Sequence, residues 1–296
     1  MTSGRRAALV IGVPLCLAVI GSSGLSLLEN FAQGKYPVSY SIPASTRALT
    51  VNTDGGLTIK SVGTGQAALT GTAHYTFVRP SLTHQVAGDA TTIGYNCTIA
   101  LGDCELDGTV GVPSTVTALT AHIGSGDADV TGMTGPVTLS SGDGNLSVSH
   151  TSGPLTLNTG SGTVQVSAIT AATLSASTGD GDITGTGITS PTVAANSDSG
   201  NITLGASGGT PVTLTASTGS GDIQIKFTGA PPQTVHVNTD SGDVVILLPP
   251  GSGTKYNFST NTDSGSVSYP TSLENKASAN VITASSGSGD ITISQE

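Results

Sequence analysis

The chain has 296 residues, 41 of them glycine, with no tryptophan, 3% aromatic and 9% charged residues. So low a charge content, against about 25% in a typical globular domain, argues against an ordinary enzyme, and the paired aliphatics argue against charge-driven disorder. Beyond residue 28, seven basic residues stand against all 19 acidic ones, a formal charge of −12 that repels phosphate backbones and sets nucleic-acid partners aside.

At the amino terminus Arg5-Arg6 precedes an uncharged run of 22 residues from Ala7 to Leu28. At 1.5 Å per residue that run can cross a hydrocarbon core of about 30 Å as one hydrophobic helix. Two readings stand. One is an uncleaved signal anchor with a cytoplasmic amino terminus, set by the arginines. The other is a cleavable signal peptide with its apolar core at Ala7–Ile20 and a small-residue exit at Gly21-Ser22-Ser23-Gly24. Both place everything after about residue 30 outside the cytoplasm: tethered by residues 7–28 on the first reading, secreted on the second. Cys16 follows Leu15 and not a small residue, which disfavours a lipid anchor. Residues 29–46 read as a linker and residues 47–296 as one all-β domain.

Within that domain Asp54-Gly55-Gly56 resembles a turn. Tyr36, Tyr40, Tyr75 and Tyr95 cluster before the regular region, as a binding patch or as cap packing. Residues 66–122 are irregular. They hold Cys97 and Cys104, which in an exported chain read as a local disulfide securing a loop or the mouth of the domain. A metal pair is the alternative, but it lacks further cysteine or well-spaced histidine.

From residue 123 onward a four-residue turn recurs nine times. Its third position is always glycine: Gly126, Gly144, Gly162, Gly181, Gly200, Gly221, Gly242, Gly265 and Gly289. Successive spacings are 18, 18, 19, 19, 21, 21, 23 and 24. A glycine fixed at one place implies either a backbone angle costly to other residues or a close backbone approach. After each turn comes an alternating run such as Val164-Gln165-Val166 or Ile223-Gln224-Ile225, and halfway along comes a second, such as Leu155-Thr156-Leu157 or Val235-His236-Val237. Period-two alternation predicts half-buried strands. One repeat cannot bury its own aliphatic face, so the pattern predicts a single-stranded parallel β-solenoid of coils of about 18–24 residues, each strand paired with its copy in the next coil. Small inward residues such as Ala176 and Ala195 predict a thin coil. The rival is an antiparallel sandwich of hairpins.

These features resemble the bacterial "putative adhesin" family of β-strand-repeat proteins, a domain of unknown function. The resemblance rests on the GSGD-type turns, on TASTGSGDIQIKF (215–227), on residues 237–267 and on the closing GSGDITI (287–293), and it covers about residues 48–296. It implies a β-solenoid behind one membrane anchor or signal, and no catalytic residues.

The fourth turn position runs Asp127, Asn145, Thr163, Asp182, Asn201, Asp222, Asp243, Ser266 and Asp290. Stacked coils would align these in a row. Asp127, Asp182, Asp222 and Asp243 are then candidate Ca²⁺ ligands, or part of a carbohydrate-binding ladder, against the plainer reading of solvent-facing turn chemistry. A polysaccharide-degrading β-helix needs converging carboxylates and a base. Asp180 with Asp182 and Asp240 with Asp243 are close pairs, but both belong to the turn motif and no base stands near. His74, His84, His122, His150 and His236 lack metal-ligand spacing. No cofactor motif is present. The sequence therefore predicts a non-catalytic extracytoplasmic surface scaffold binding an unidentified glycan or protein. The alternatives are a carbohydrate-active β-helix enzyme and an envelope sensing accessory.

Overall fold

A computed structural model describes residues 33–63, 67–96, 104–208, 212–251 and 253–296. Residues 155–178 contain the repeating unit. Leu155–Thr159 runs in one sheet, Gly160 to Thr163 turn the chain, and Val164–Ile169 runs in a second sheet. A short return then leads to Thr173–Thr178, which lies parallel to the first strand with Leu155 beside Leu174 and Leu157 beside Ala176. Leu155, Leu157, Val164 and Val166 are buried, while Thr156, Asn158 and Gln165 face solvent. With Ile169, also buried, that is five aliphatic side chains, too small a core to stand alone, so stability comes from stacking coil on coil.

Stacking builds a 13-stranded and a 12-stranded sheet around one core of Val, Leu, Ile and Ala. Every pairing among the strands from Ala118 to Gln295 is parallel, and in register with the coil above and below except for a bulge between Gly185 and Ile188. That excludes the hairpin sandwich. Ala176 and Ala195 point inward as expected, with both methyls buried.

At both ends the coils do not stack in chain order, which corrects the expectation that each strand pairs with its next copy. The strands Ala90–Asn96 and Cys104–Pro113 form a coil outside Ala48–Thr53 and Leu57–Gly63, and those in turn pair directly with Ala118–Ile123 and Ala128–Thr131. Residues 66–122 are thus less an interruption than an outer coil plus a cap. At the far end the last coil in the chain, Val281–Ser288 with Ile291–Gln295, slots between Thr234–Leu248 and the strands Asn257–Ser264 and Val267–Ser268. Burial supplies the reason. The inserted coil turns Ile282, Ala284, Ile291 and Ile293 fully inward, whereas Val267 in the outer coil is 40% exposed. The coil whose second strand, Val267–Ser268, is two residues long and exposed takes the end, where one side stays uncovered.

Antiparallel strands close the amino-terminal end. Gln33–Ser41 pairs with Ala68–Thr76, which pairs with Cys104–Pro113, and Ser81–Ala87 pairs with Ala90–Asn96. The stretch 29–46, expected as a linker, therefore contains a strand of this cap. The hydrophobic helix expected over residues 7–28 lies outside the described residues. Among the described residues no helix is long and apolar enough to cross a membrane.

The other end is closed by Tyr256, Phe258 and Tyr269, with ring centroids 5.8 and 5.0 Å apart in sequence. Lys276 Nζ donates to the Phe258 carbonyl at 2.9 Å, which blunts the exposed strand edge. Burial pushes the Tyr256 hydroxyl up to about 12, and that hydroxyl has no hydrogen-bond partner. An unpaired buried hydroxyl is destabilising. Tyr256→Phe is therefore expected to raise the unfolding free energy by about 1 kcal/mol, read from the urea midpoint at constant slope.

Candidate functional site

The nine turns stack into one edge of the solenoid, held by two hydrogen-bond ladders. The inner ladder starts from the buried hydroxyl that precedes each turn. Thr178 Oγ1 donates to the Gly162 carbonyl of the preceding coil at 2.8 Å and accepts the Gly181 N–H of its own turn at 3.1 Å. Ser197 repeats this with Gly181 and Gly200. Thr159 repeats it with Gly144 and Gly162. The third-position glycine follows from this geometry. A Cβ on Gly162 would lie 2.0 Å from the Gly144 carbonyl oxygen, and one on Gly200 would lie 1.9 Å from that of Gly181. The glycine is thus required by close backbone approach, not by a left-handed angle. The same holds at Gly126, Gly144, Gly181, Gly221, Gly242, Gly265 and Gly289, each of which would meet a neighbouring coil's backbone within 2.3 Å.

The outer ladder uses the fourth position. Asp127 Oδ1 accepts the Asn145 N–H at 2.8 Å, and Asn145 Oδ1 accepts that of Thr163 at 2.9 Å. Asp182 accepts from Asn201, Asn201 from Asp222, Asp222 from Asp243 and Asp243 from Asp290, each at 2.8 Å. The candidate ligands Asp127, Asp182, Asp222 and Asp243 are exposed, and each has one carboxylate oxygen engaged in joining coils. Asn and Asp interchange because the ladder needs an acceptor, not a charge, and Ser266 closes it in the end coil, where it only donates. Among the described residues no three His, Cys, Asp or Glu side chains gather as a metal would require.

One juxtaposition was hidden by chain order. The coil swap sets Asp290 beside Asp243, so Asp222, Asp243 and Asp290 stand on three successive coils. Ser266 donates to Asp290 through its backbone N–H at 2.7 Å and its hydroxyl at 2.9 Å, and both bonds hold the carboxyl below its usual 3.8. A folded value below the unfolded one stabilises the fold above pH 3.8 and ceases to do so as pH falls through the folded value. Asp290→Asn keeps the acceptor oxygen. Its unfolding midpoint is expected to approach the wild type's as pH falls below the folded pKa of Asp290 and to show a shallower rise toward pH 5, checked by thermal denaturation across the acid range.

A shallow groove of about 680 Å³ lies where the cap joins the 13-stranded sheet. Gly71 opposes Gly108 there, and a Cβ on Gly71 would meet the Asp107 carbonyl oxygen at 2.3 Å, so the backbones touch and leave an open floor. Asp107, Asp127 and Asp129 wall it with Thr58, Thr70 and Thr109, and no lysine, arginine or histidine lines it among the described residues. It can take hydroxylated or cationic groups, but it presents no acid–base pair. Asp54-Gly55-Gly56 was the sequence trace of this place, since Asp107 Oδ1 accepts the Gly56 N–H at 2.8 Å.

The remaining predicted residues are scattered. Asp180 and Asp240 sit exposed in their own turns. His122 Nδ1 bonds Ser140 Oγ at 2.6 Å, His84 stacks on Tyr40 at 4.5 Å, and His74 faces Glu105 across antiparallel strands. His150 and His236 are exposed on the solenoid. Tyr36 and Tyr75 meet edge to face at 6.0 Å, and Tyr95 is buried beside them; burial and then its two tyrosine neighbours push its hydroxyl up. The tyrosines therefore pack the cap. Cys97 lies outside the described residues; Cys104 opens the strand Cys104–Pro113.

The repeat geometry meets its counterpart in a family comparison: the Toastrack DUF4097 model matches residues 107–294. The chain belongs to that family. Toastrack describes the stacked parallel strands well, and the match spans most of the coils while leaving out the amino-terminal cap. No curated protein matches the chain. Among solved structures it is similar to a "putative cell adhesion protein" from Clostridium sporogenes (12% identity, 89% of this chain and 100% of that one, TM-score 0.24). It is similar also to a "putative adhesin" from Bacteroides fragilis (14%, 88% and 97%, TM-score 0.46). A third is a "putative lipid binding protein" from Parabacteroides distasonis (13%, 88% and 96%, TM-score 0.43).

Proposed function

We propose that this Toastrack chain is a non-catalytic extracytoplasmic scaffold, held at the membrane by residues 7–28, that binds an extended hydroxylated polymer such as a glycan. The observation that carries this reading is an outward row on the 12-stranded sheet. Asn52, His122, Ser140, Asn158, Ser177, Asn196, Ser217, Asn238, Ser285 and Asn261 stand in register on successive coils, with side chains that accept and donate hydrogen bonds. Coils repeat about every 4.8 Å, so the row offers many weak, equivalent contacts to a repeating chain. The acidic groove beside the cap lacks a basic partner for its carboxylates, which favours binding over cleavage. A Cys97–Cys104 disulfide bracing the loop ahead of Cys104–Pro113 belongs to the same exported setting, and the bonded state of Cys104 supports it.

A glycan-array screen of the full chain, followed by an assay for released reducing ends on every glycan bound, tests the reading. Binding without release is expected, weakened by Asn158→Ala combined with Asn196→Ala. Release of reducing ends that a single Asp substitution abolishes would overturn it in favour of a carbohydrate-active enzyme.

A further inference from the structure

Phe77, Val78 and Arg79 link the cap strands Ala68–Thr76 and Ser81–Ala87 at the amino-terminal end of the solenoid. All three are exposed, Phe77 by 45% and Val78 by 39%. Among the described residues only two other large hydrophobic side chains are so exposed, Val86, also on this cap, and Val267 at the opposite end. Phe77 has a φ of 65°, and the Val78 N–H donates to the Thr76 carbonyl at 2.8 Å. That is a γ-turn of the rare, strained hand, which a bulky aromatic enters only against steric cost. The strain holds two apolar side chains away from the core, so folding gains nothing from it.

Basic groups stand directly behind this tip. The Arg79 guanidinium lies 3.8 Å over the Tyr36 ring, Tyr36 is tied to the Pro80 carbonyl at 2.5 Å, and Lys35 is exposed one residue away. The ion pairs among the described residues involve neither Arg79 nor Lys35. Gln33 pairs with Thr76, so the chain arriving from the apolar run that ends at Leu28 enters one residue from Phe77. The five steps from Leu28 to Gln33 reach about 18 Å at most.

We infer that the Phe77–Val78–Arg79 tip seats in the interfacial layer of a phospholipid bilayer, fixing the angle at which the solenoid stands on the membrane. Aromatic and aliphatic side chains at the acyl boundary, with Arg and Lys at the phosphates, are the chemistry of an interfacial anchor. A stable protein partner would require about 800 Å² on each side, far more than three side chains present. The inference rests on the membrane-tethered reading above.

The chain has no tryptophan, so Phe77→Trp introduces a single indole. The full chain is reconstituted into phosphatidylcholine–phosphatidylglycerol vesicles carrying bromine on the acyl chains near the headgroups. Emission from Phe77→Trp is expected to fall at least about twofold against unbrominated vesicles, as for an interfacial aromatic, while Val267→Trp at the far end is unchanged. Vesicle flotation is measured in parallel. A chain that floats while Phe77→Trp stays as bright as Val267→Trp overturns the tip and leaves the tether standing. A chain that does not float overturns the tether and the tip with it. Val78→Trp, read in the same way, carries the test if Phe77→Trp lowers the folded yield.

Discussion

Gly181→Ala is expected to lower the unfolding free energy by about 3 kcal/mol, the upper range for forced overpacking, whereas Gly205→Ala stays within about 0.5 kcal/mol of the wild type. Both glycines lie in the regular coils, and their difference is one of contact. A Cβ at Gly181 would stand 2.0 Å from the Gly162 carbonyl oxygen and 2.5 Å from its carbon. At Gly205 the nearest atom would be 3.6 Å away. Relief at Gly181 requires the coils to separate, and the same Gly162 carbonyl accepts the Thr178 hydroxyl, so separation also breaks the buried ladder. Neither glycine has a left-handed φ. Asparagine, which tolerates that conformation, is therefore expected to do no better than alanine at 181. Urea unfolding of the three variants checks this; a Gly181→Asn protein as stable as the wild type would return the turn to a conformational explanation.

The repeat was legible because each of its marks has a local cause. Alternation such as Val164-Gln165-Val166 follows from a strand with one buried face, and the fixed glycine follows from coils that touch. The sequence left two causes open for that glycine, and the contact at Gly162 decides between them. The fourth-position row was legible as a row but not as a ladder. Asp127 and Asn145 differ in charge and share only an acceptor oxygen, which matters only once the next coil's N–H lies 2.8 Å away. The order of the end coils was not legible, because register is equivalent in either order: Thr234 and Asn257 both pair with Val281. The cap escaped for a related reason. Gln33–Ser41 alternates weakly, with one fully buried side chain, Val38, and its partner Ala68–Thr76 lies 35 residues along the chain. The groove between cap and coils depends on Gly71 meeting Gly108, a pairing between two non-repeating segments.

Removing residues 281–296 is expected to cost at least about 5 kcal/mol and to leave a chain less soluble than one ending at Pro249, although the latter is shorter. The deleted coil carries Ile282, Ile291 and Ile293, all at most 2% exposed, and each contributes about 1.5–3 kcal/mol by burial. It also supplies parallel partners on both sides, to Thr234–Ser241 and Val244–Leu248 on one and to Asn257–Ser264 and Val267–Ser268 on the other. Ending at Pro249 removes the outer coil with the inserted one and leaves no orphan. Ending at Asn280 keeps Tyr256, Phe258 and Leu273 but takes away the coil they cover, which exposes an aromatic cluster. The orphan could recover only by pairing directly with Thr234–Leu248. It is poorly suited to an inner place, since Val267 and the Thr260 and Thr262 positions are not buried and the strand Val267–Ser268 is two residues long. Thermal unfolding and sedimentation of the two truncated chains separate the outcomes. Equal stability would mean that any coil can replace any other, and the swapped order would then lack the energetic reason given by the inward isoleucines.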